Sequence, residues 1–379
     1  KAATRTLPRV MLLCVLPEIG AAQGACAVWP AWRSFKSDLM ENGRIADRSS
    51  PSAITTSEGQ SYGLFFALVA NDREGFERLL EWTENNLAQG DLTAHLPAWL
   101  WGRHDDGQWA VLDANPASDA DLWIAYALGQ AGQLWNNRRL RILSQVMAKK
   151  ILDQETVRIP GLGLSLLPAP QGFQPAPDQW RLNPSYVPLQ VLRALARGEG
   201  SSPWTEMVPV AAQMIRASAP TGFAPDWTLY QSSAGFRADT ASQALGSYNA
   251  IRVYLWAGML HADEPQRAAL LKALQPMAAL TKAQGVPPEK INTETGDAQG
   301  DGPVGFSAAL VPFLQAVGAH ETAQAQLKRV QQTPPAADAY YNRALRLFAL
   351  GWQDGYFRFE ANGSLKPQWD RACGASSLH

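Results

Sequence analysis

Cysteine and histidine are scarce in this sequence, with three cysteines and five histidines among 379 residues. The histidines are isolated from one another along the chain: His95, His104, His261, His320 and His379. Neither residue type has the spacing of a metal site, and the acidic loop 297–301 lacks the ligand order of a calcium loop. No glycine pattern typical of phosphate or dinucleotide binding is present. Ser57-Glu58-Gly59 is not a nucleophile elbow. The sequence therefore predicts chemistry without a metal or another cofactor.

A surplus of positive charge is also missing. Lysine and arginine number 33 and the acidic residues 34, which gives a formal net charge of -1. Electrostatic attraction to nucleic acid or to an anionic membrane is therefore not expected. Hydrophobic residues make up 46% of the chain, which at this length is enough for a large core.

No apolar run at the N-terminus is long enough to span a membrane. Lys1, Arg5 and Arg9 precede a short apolar stretch at 10–16, and small residues follow at 20–22. This order is typical of a cleaved signal peptide. We therefore expect residues 1–25 to be a signal-peptide-like segment and residues 26–379 to form one domain. The mature protein is expected to be periplasmic or secreted, with no membrane span.

Two of the three cysteines lie at the ends of the expected mature chain. Cys14 belongs to the signal-like segment, whereas Cys26 and Cys373 remain after its removal. Because exported proteins meet oxidising conditions, we predict a disulfide between Cys26 and Cys373. Two free thiols are the alternative to this disulfide. The pair Ala25-Cys26 also allows a third possibility, that Cys26 is the lipid-attachment site of a lipoprotein.

The spacing of apolar residues predicts a mostly helical chain. Strongly apolar stretches such as 64–69 and 251–259 alternate with amphipathic ones such as 73–87. We predict helices near 30–40, 58–71, 73–89, 118–134, 136–152, 185–197, 203–219, 241–261, 264–283, 305–317, 320–332 and 337–351. Alternating buried and half-exposed helices fit a closed double ring, although an open α-solenoid would have the same periodicity.

Two segments outside the helices have patterns of their own. The segment 160–184 is rich in proline and glycine, and we predict a long loop with short strands there. The segment 355–365 predicts a hairpin that turns at Asn362-Gly363.

Two of the predicted buried helices begin with acidic residues. Ser118 precedes Asp119 and Asp121 in one, and Ser57 precedes Glu58 in the other. The backbone N–H groups and the dipole at a helix N-terminus stabilise negative charge, so these acids could simply cap their helices. If the two helix starts face one cleft, they provide the two carboxylates that glycoside hydrolysis needs, one protonated and one ionised.

The motifs around these acids resemble glycoside hydrolase family 8. The run from Ala117 to Ala125, continuing to Ala131 and Trp135, resembles the family signature, and the run 57–63 resembles its general-acid motif. The resemblance extends through the segments 97–102, 183–186, 248–254 and 302–309, and covers nearly the whole chain after Cys26. It is strongest to the cellulase branch that is encoded with bacterial cellulose synthase.

The resemblance implies an (α/α)6 barrel with a small β hairpin and long loops at the cleft. It also implies an inverting endo-β-1,4-glucanase that trims nascent cellulose in the periplasm. The expected partners are β-1,4-glucan (cellulose and cello-oligosaccharides) and the cellulose synthase export complex. Glu58 matches the general acid. Asp119 matches the carboxylate at the cleavage subsite, which has also been described as a nucleophile.

The sequence departs from the cellulase branch at the general base. That branch has Asp within a Tyr-Asp-Ala-Ile-Arg motif, whereas this chain has Asn249 between Tyr248 and Ala250. An amide can hydrogen-bond a water but cannot take its proton near neutral pH. Three explanations stay open: the base has been removed by substitution, another acid serves, or the protein binds glucan without cutting it. The second is the arrangement of the chitosanase and lichenase branch, and its candidates in this chain are Glu289, Glu294, Asp297 and Asp301.

Aromatic side chains are candidates for sugar binding, since fourteen tryptophans are many for this length. Trp123 and Trp256 fall within apolar helices and are predicted to belong to the core. The substrate-binding candidates lie near predicted loops or beside the catalytic motifs: Trp99, Trp101, Trp109, Asp121, Trp180, Tyr186, Tyr248 and Arg252. Each aromatic candidate could instead pack in the core. A different function, that of a helical scaffold for protein partners, is a further alternative, and it would be recognised by a lack of any affinity for sugar.

Overall fold

The computed structural model describes residues 29–196 and 202–373, with the side chains of 371–373 left undescribed. The signal-like segment and Cys26 lie outside these described residues, and the side chain of Cys373 is not described, so the predicted Cys26–Cys373 disulfide stays a prediction. Within the described ranges, no helix is both long and apolar enough to cross a membrane.

Helices dominate the described part of the chain, and small antiparallel sheets connect them. The α-helices are α1 (Pro30–Leu39), α2 (Ser57–Val69), α3 (Arg73–Leu87), α4 (Ser118–Leu134), α5 (Arg138–Gln154), α6 (Leu189–Leu195), α7 (Pro203–Ala217), α8 (Ala250–Gly258), α9 (Arg267–Leu274), α10 (Pro276–Gln284), α11 (Val304–Ala316), α12 (His320–Gln332), α13 (Tyr340–Gln353) and α14 (Gln368–Cys373).

Six of these helices form the inner ring of an (α/α)6 barrel, and the others pack outside it. The inner helices α2, α4, α6, α8, α11 and α13 follow one another around the ring, and α13 closes it against α2. The residues of α8 are all buried, as are nearly all those of α2, whereas outer helices such as α3 and α5 bury only one face. The predicted closed double ring is therefore confirmed.

Aromatic rings fill the centre of the barrel. Phe348 of α13 has no exposed surface, and its ring centroid lies 4.7 Å from that of Phe66 and 5.0 Å from that of Tyr62. Trp123 and Trp256 join the same cluster and are 1% and 4% exposed, so their prediction as core residues is confirmed. This packing fixes the inner helices relative to one another.

All but the last two strands precede an inner helix in the chain, and those two follow the last inner helix. The strands are β1 (Met40–Glu41), β2 (Arg44–Ile45), β3 (Thr55–Thr56), β4 (Ala98–Arg103), β5 (Trp109–Pro116), β6 (Thr156–Ile159), β7 (Gly163–Leu166), β8 (Gln179–Leu182), β9 (Thr228–Gln231), β10 (Gly235–Ala238), β11 (Leu245–Gly246), β12 (Pro288–Asn292), β13 (Ala298–Asp301), β14 (Phe357–Phe359) and β15 (Leu365–Pro367). The three-stranded sheets are β3-β4-β5, β10-β9-β8 and β11-β12-β13.

Strand ends lead directly into inner helices. Strand β3 ends next to α2, β5 ends two residues before α4, and β11 ends four residues before α8. The sheets β3-β4-β5 and β11-β12-β13 therefore lie at the end of the barrel at which these helices begin. The predicted hairpin at 355–365 is confirmed as β14 and β15, with Gly363 at a φ of +79° in the turn.

The helix predictions are confirmed in most places and wrong in two. The predicted helix 241–261 begins only at Ala250, because Gln243 and Ala244 take positive φ angles and Leu245–Gly246 pairs with β12. The predicted helix 264–283 is divided into α9 and α10 at Gln275, since proline at 276 cannot donate the next helical hydrogen bond. The predicted strands within 160–184 are confirmed as β7 and β8.

Candidate active site

The candidate site lies where several inner helices begin. Glu58 is in the first turn of α2, Asp119 in the first turn of α4, and Asn249 immediately before α8. Tyr340 is the first residue of α13. These helix starts form the floor of one cleft of about 520 Å³, and all four side chains line it. Because helix N-termini carry partial positive charge, this floor favours acidic groups and polar ligands.

Arg252 joins the candidate catalytic residues at the floor of the cleft. Its Nη1 donates to Glu58 Oε2 at 2.7 Å and to Asp119 Oδ2 at 3.0 Å. Its Nη2 donates to Asn249 Oδ1 at 2.6 Å. The guanidinium is 3% exposed, so these charge-assisted contacts are formed away from bulk water. The acids at 58 and 119 and the asparagine at 249 are therefore brought together by one cation.

Asp226 holds the start of α8, which carries Asn249 and Arg252. Its Oδ1 accepts hydrogen bonds from the backbone N–H groups of Ser247, Asn249 and Ala250, at 2.7–2.9 Å. Asn249 itself makes no side-chain cap, and its amide instead lines the cleft, where its Oδ1 accepts from Arg252. Asp226 thus caps α8 from a distant part of the chain.

Different partners distinguish the two acids of the cleft. Burial raises the pKa of Glu58; the charge of Arg252 opposes this and that of Asp119 adds to it. Burial also raises the pKa of Asp119. The charge of Arg252 and the N–H of Ala120, which donates to Asp119 Oδ1 at 2.8 Å, both oppose that rise. Asp119 therefore has a backbone donor in addition to the cation, which favours its ionised form. Glu58 is more exposed to the cleft, where it can reach a ligand, and the charge of Asp119 adds to the rise in its pKa, so Glu58 is the better candidate for the proton donor.

Three tyrosines complete the floor, and the sequence analysis did not select them. The hydroxyl of Tyr340 donates to Glu58 Oε1 at 3.0 Å. Tyr62 OH accepts from Arg252 Nη1 at 3.0 Å, and Tyr341 donates to the backbone oxygen of Tyr248. The usable signal was the position of residues 340 and 341 at the start of a predicted inner helix, like that of the two acids.

The predicted substrate-binding residues divide into three groups. Trp99, Tyr186 and Tyr248 line the cleft beside Arg252. Trp101 and Trp109 stack on each other at 5.1 Å along the β4–β5 hairpin, with the Arg44 guanidinium over both rings. Trp180 and Asp121 form the third group and do not line the cleft.

Trp180 and Asp121 do not face the cleft, and their prediction as sugar-binding residues is wrong. Trp180 is 5% exposed and packs into the core from β8. Asp121 is completely buried. Two positions along a helix correspond to a rotation of about 200°, so Asp119 and Asp121 point in nearly opposite directions. One acid reaches the cleft and the other enters the barrel wall.

The cleft has several of the parts that carbohydrate cleavage requires, although an asparagine stands at the position expected for the base. Two acids in different environments share one cation, and exposed aromatic rings at the rim provide flat apolar faces for sugar rings. In the described part of the chain, no cluster of three or more histidine, cysteine or acidic residues could hold a metal ion. A helical barrel with two paired acids and aromatic rings at its cleft fits the class of glycoside hydrolases.

Comparisons with known proteins identify the family. The profile of glycosyl hydrolases family 8 matches residues 7–355, and the chain belongs to this family. An endoglucanase of Salmonella typhi is 47% identical over 97% of this chain and 98% of its own length. An endoglucanase of Xanthomonas axonopodis pv. citri is 49% identical over 94% of each chain. The crystal structure of an endo-1,4-D-glucanase from Vibrio fischeri matches with a TM-score of 0.84 and 45% identity, over 90% of this chain and 99% of that one.

Proposed function

We propose that this cleft hydrolyses β-1,4-glucan with inversion, which makes the protein an endo-1,4-β-glucanase acting on cellulose and cello-oligosaccharides. The observation that carries the proposal is the Arg252 cluster, in which two acids and the position of the expected base meet around one guanidinium. The endoglucanase names of close relatives over nearly the whole chain support the same substrate.

Glu58 is proposed as the general acid. A protonated Glu58 donates its proton to the glycosidic oxygen while the bond from that oxygen to the anomeric carbon breaks. Asp119 remains ionised and stabilises the positive charge that develops on the sugar ring. Arg252 and Tyr340 hold the Glu58 carboxyl from two sides and so fix its orientation at the floor of the cleft.

Position 249 is proposed as the place of the base. In an inverting reaction a water attacks the anomeric carbon from the opposite face, and a carboxylate takes the water's proton. Asn249 can orient that water through its amide, but it cannot accept the proton. We therefore expect sugar binding to be retained and turnover to be slow in this form of the protein.

The decisive experiment is Asn249→Asp, assayed by reducing-end release from a soluble cellulose derivative. Because one positioned base contributes about 10²–10⁴ in rate, we expect a gain of that order. Asn342→Asp is the matched control, since Asn342 also lines the cleft but its Oδ1 accepts from the N–H of Gly305. No gain at position 249, or an equal gain at 342, would contradict the assignment.

A relocated base is the second candidate, and one contact favours Glu289 among the four acids considered. Its Oε1 accepts a hydrogen bond at 3.2 Å from Tyr248, which lines the cleft. In that case Glu289→Gln abolishes the activity of the unmodified chain, and Asn249→Asp adds nothing. If neither form releases product although cellopentaose binds, the protein is a non-hydrolytic glucan-binding partner of the synthase.

We further infer a role in bacterial cellulose biosynthesis, in which the exported protein trims nascent glucan near the synthase export complex. The support is the sequence resemblance to the synthase-linked branch and the signal-like segment at 1–25. Cell fractionation tests the location, and co-purification with the synthase complex tests the partnership. Recovery of the protein in the cytoplasm alone would contradict both.

A further inference from the structure

A second pair of acids lies behind the floor of the cleft. Asp121 belongs to the first turn of α4, and Glu155 follows the last residue of α5. Both side chains are completely buried, and neither lines the cleft. No N–H or O–H donor of the described residues bonds to any of their four carboxyl oxygens. The two carboxyls are close enough to affect each other's ionisation, and a hydrogen bond between them requires that one of them keeps a proton.

The charges around this pair all have the same sign. No cation of the described residues forms an ion pair with either carboxyl, and the neighbouring charge that acts on both is that of Asp119. Burial, together with these like charges, raises the pKa of Asp121 and of Glu155 well above the usual range. Two adjacent carboxylates without a cation are costly in a dry interior. A proton retained between them also supplies the donor that both lack.

The same two residues connect the end of α5 to the start of α4. The backbone oxygen of Glu155 accepts from the N–H of Leu167 at 2.7 Å. The next residue, Pro168, accepts through its oxygen from the N–H of Ser118 at 3.0 Å. Ser118 directly precedes Asp119. The end of α5 is therefore connected to the start of α4 in two ways, through the side-chain pair and through this loop. The start of α4 contains Asp119, the carboxylate that lines the cleft.

We propose that Glu155 is a positioning residue: it shares a proton with Asp121, and the shared proton holds the start of α4, and with it Asp119, in place at the cleft floor. The positioning part rests on the proposed glucan site, whereas the shared proton does not depend on it. When alkaline pH removes the proton, two like charges face each other in a dry site. The start of α4 is then displaced, and the affinity for glucan falls.

Infrared spectroscopy of the whole protein tests the shared proton. At about pH 8 exposed carboxyls are fully ionised, so a C=O stretching band of a protonated carboxyl reports buried acids only. We expect the difference spectrum between the unmodified chain and Glu155→Gln to show the loss of such a band. Glu264→Gln is the matched control, because Glu264 is also buried but is paired with Arg193 at 2.8 Å. An unchanged band in Glu155→Gln overturns the proposal.

Cellopentaose affinity measured by calorimetry across pH tests the positioning. We expect the unmodified chain to lose about tenfold in affinity for cellopentaose once the pair ionises. Because binding and proton release are linked, a tenfold loss means that bound cellopentaose raises the pKa of the pair by about one unit. Glu155→Gln keeps a neutral donor at every pH and should stay within about twofold, whereas Glu155→Ala should bind weakly throughout. If Glu155→Gln loses affinity as the unmodified chain does, the positioning role is refuted. If no form binds at any pH, the proposed glucan site itself is refuted.

Discussion

Replacing Tyr340 by phenylalanine removes one hydroxyl from the cleft and should change the ionisation of Glu58. The two oxygens of Glu58 have one side-chain donor each, Arg252 at 2.7 Å and Tyr340 at 3.0 Å. Tyr340 is 5% exposed, so water cannot easily take the place of its hydroxyl. The phenylalanine ring preserves the packing, and the change is confined to one hydrogen bond.

The size of the effect follows from the strength of that bond. A hydrogen bond to a charged group is worth about 1.5–3 kcal/mol, and one pKa unit corresponds to about 1.4 kcal/mol. The Tyr340 hydroxyl stabilises the carboxylate, and it therefore opposes the burial that raises the pKa of Glu58. Tyr340→Phe should raise the pKa of Glu58 by a further one to two units, roughly.

The sign of the pH effect is fixed by the role of the acid. A general acid acts while it is protonated, so a higher pKa extends activity to higher pH. The assay is kcat/KM against pH, measured in the Asn249→Asp background so that turnover is fast enough to follow. We expect the alkaline limb to move upward by the same one to two units, roughly. Tyr341→Phe is the control, because its hydroxyl donates to the backbone of Tyr248. An alkaline limb that stays in place, or moves to lower pH, would refute Glu58 as the acid.

Two further changes test the scaffold around the site. Asp226→Ala removes the cap that three N–H groups of the α8 start share, which should cost about 0.5–2 kcal/mol of stability and weaken cellopentaose binding. Thermal unfolding measures the loss of stability and calorimetry measures the loss of affinity. Unchanged affinity would show that the Asp226 cap stabilises the fold without contributing to the binding site. Phe348→Ala empties the centre of the aromatic cluster and should cost about 3–5 kcal/mol in urea unfolding. A loss below about 1 kcal/mol would show that the ring centre is not tightly packed.

Local pattern was sufficient for most of the fold, and it failed where a distant partner decides the conformation. The inner helices could be predicted because their apolar residues lie within the helices themselves, and at α2 the cap is local too, since the Thr56 hydroxyl accepts from the N–H of Gly59. The residues before Ala250 have an equally helical pattern. They form a strand instead because β12, more than forty positions later, pairs with them. No local signal contains that pairing.

The site shows the same division between local and distant information. Glu58, Asp119, Asn249 and Arg252 could be selected because each lies in a distinctive motif at a helix start. Tyr340 was not selected. Its place near the start of a predicted helix was a usable signal, but its hydrogen bond to Glu58 joins residues 282 positions apart and has no local signature. Asp121 was wrongly assigned although helix geometry alone, with about 100° per residue, would have turned it away from Asp119.

The asparagine at 249 has a second consequence beyond the missing base, because Arg252 serves three neighbours. With Asn249 neutral, the full charge of Arg252 is available to Glu58 and Asp119, and it opposes the burial that raises the pKa of both acids. An aspartate at 249 would take Nη2 as a charged partner and add a negative charge close to Glu58. Both effects raise the pKa of Glu58 and favour its protonated form. Restoring the base should therefore also improve the acid, so the two carboxylates of the reaction are coupled through one guanidinium.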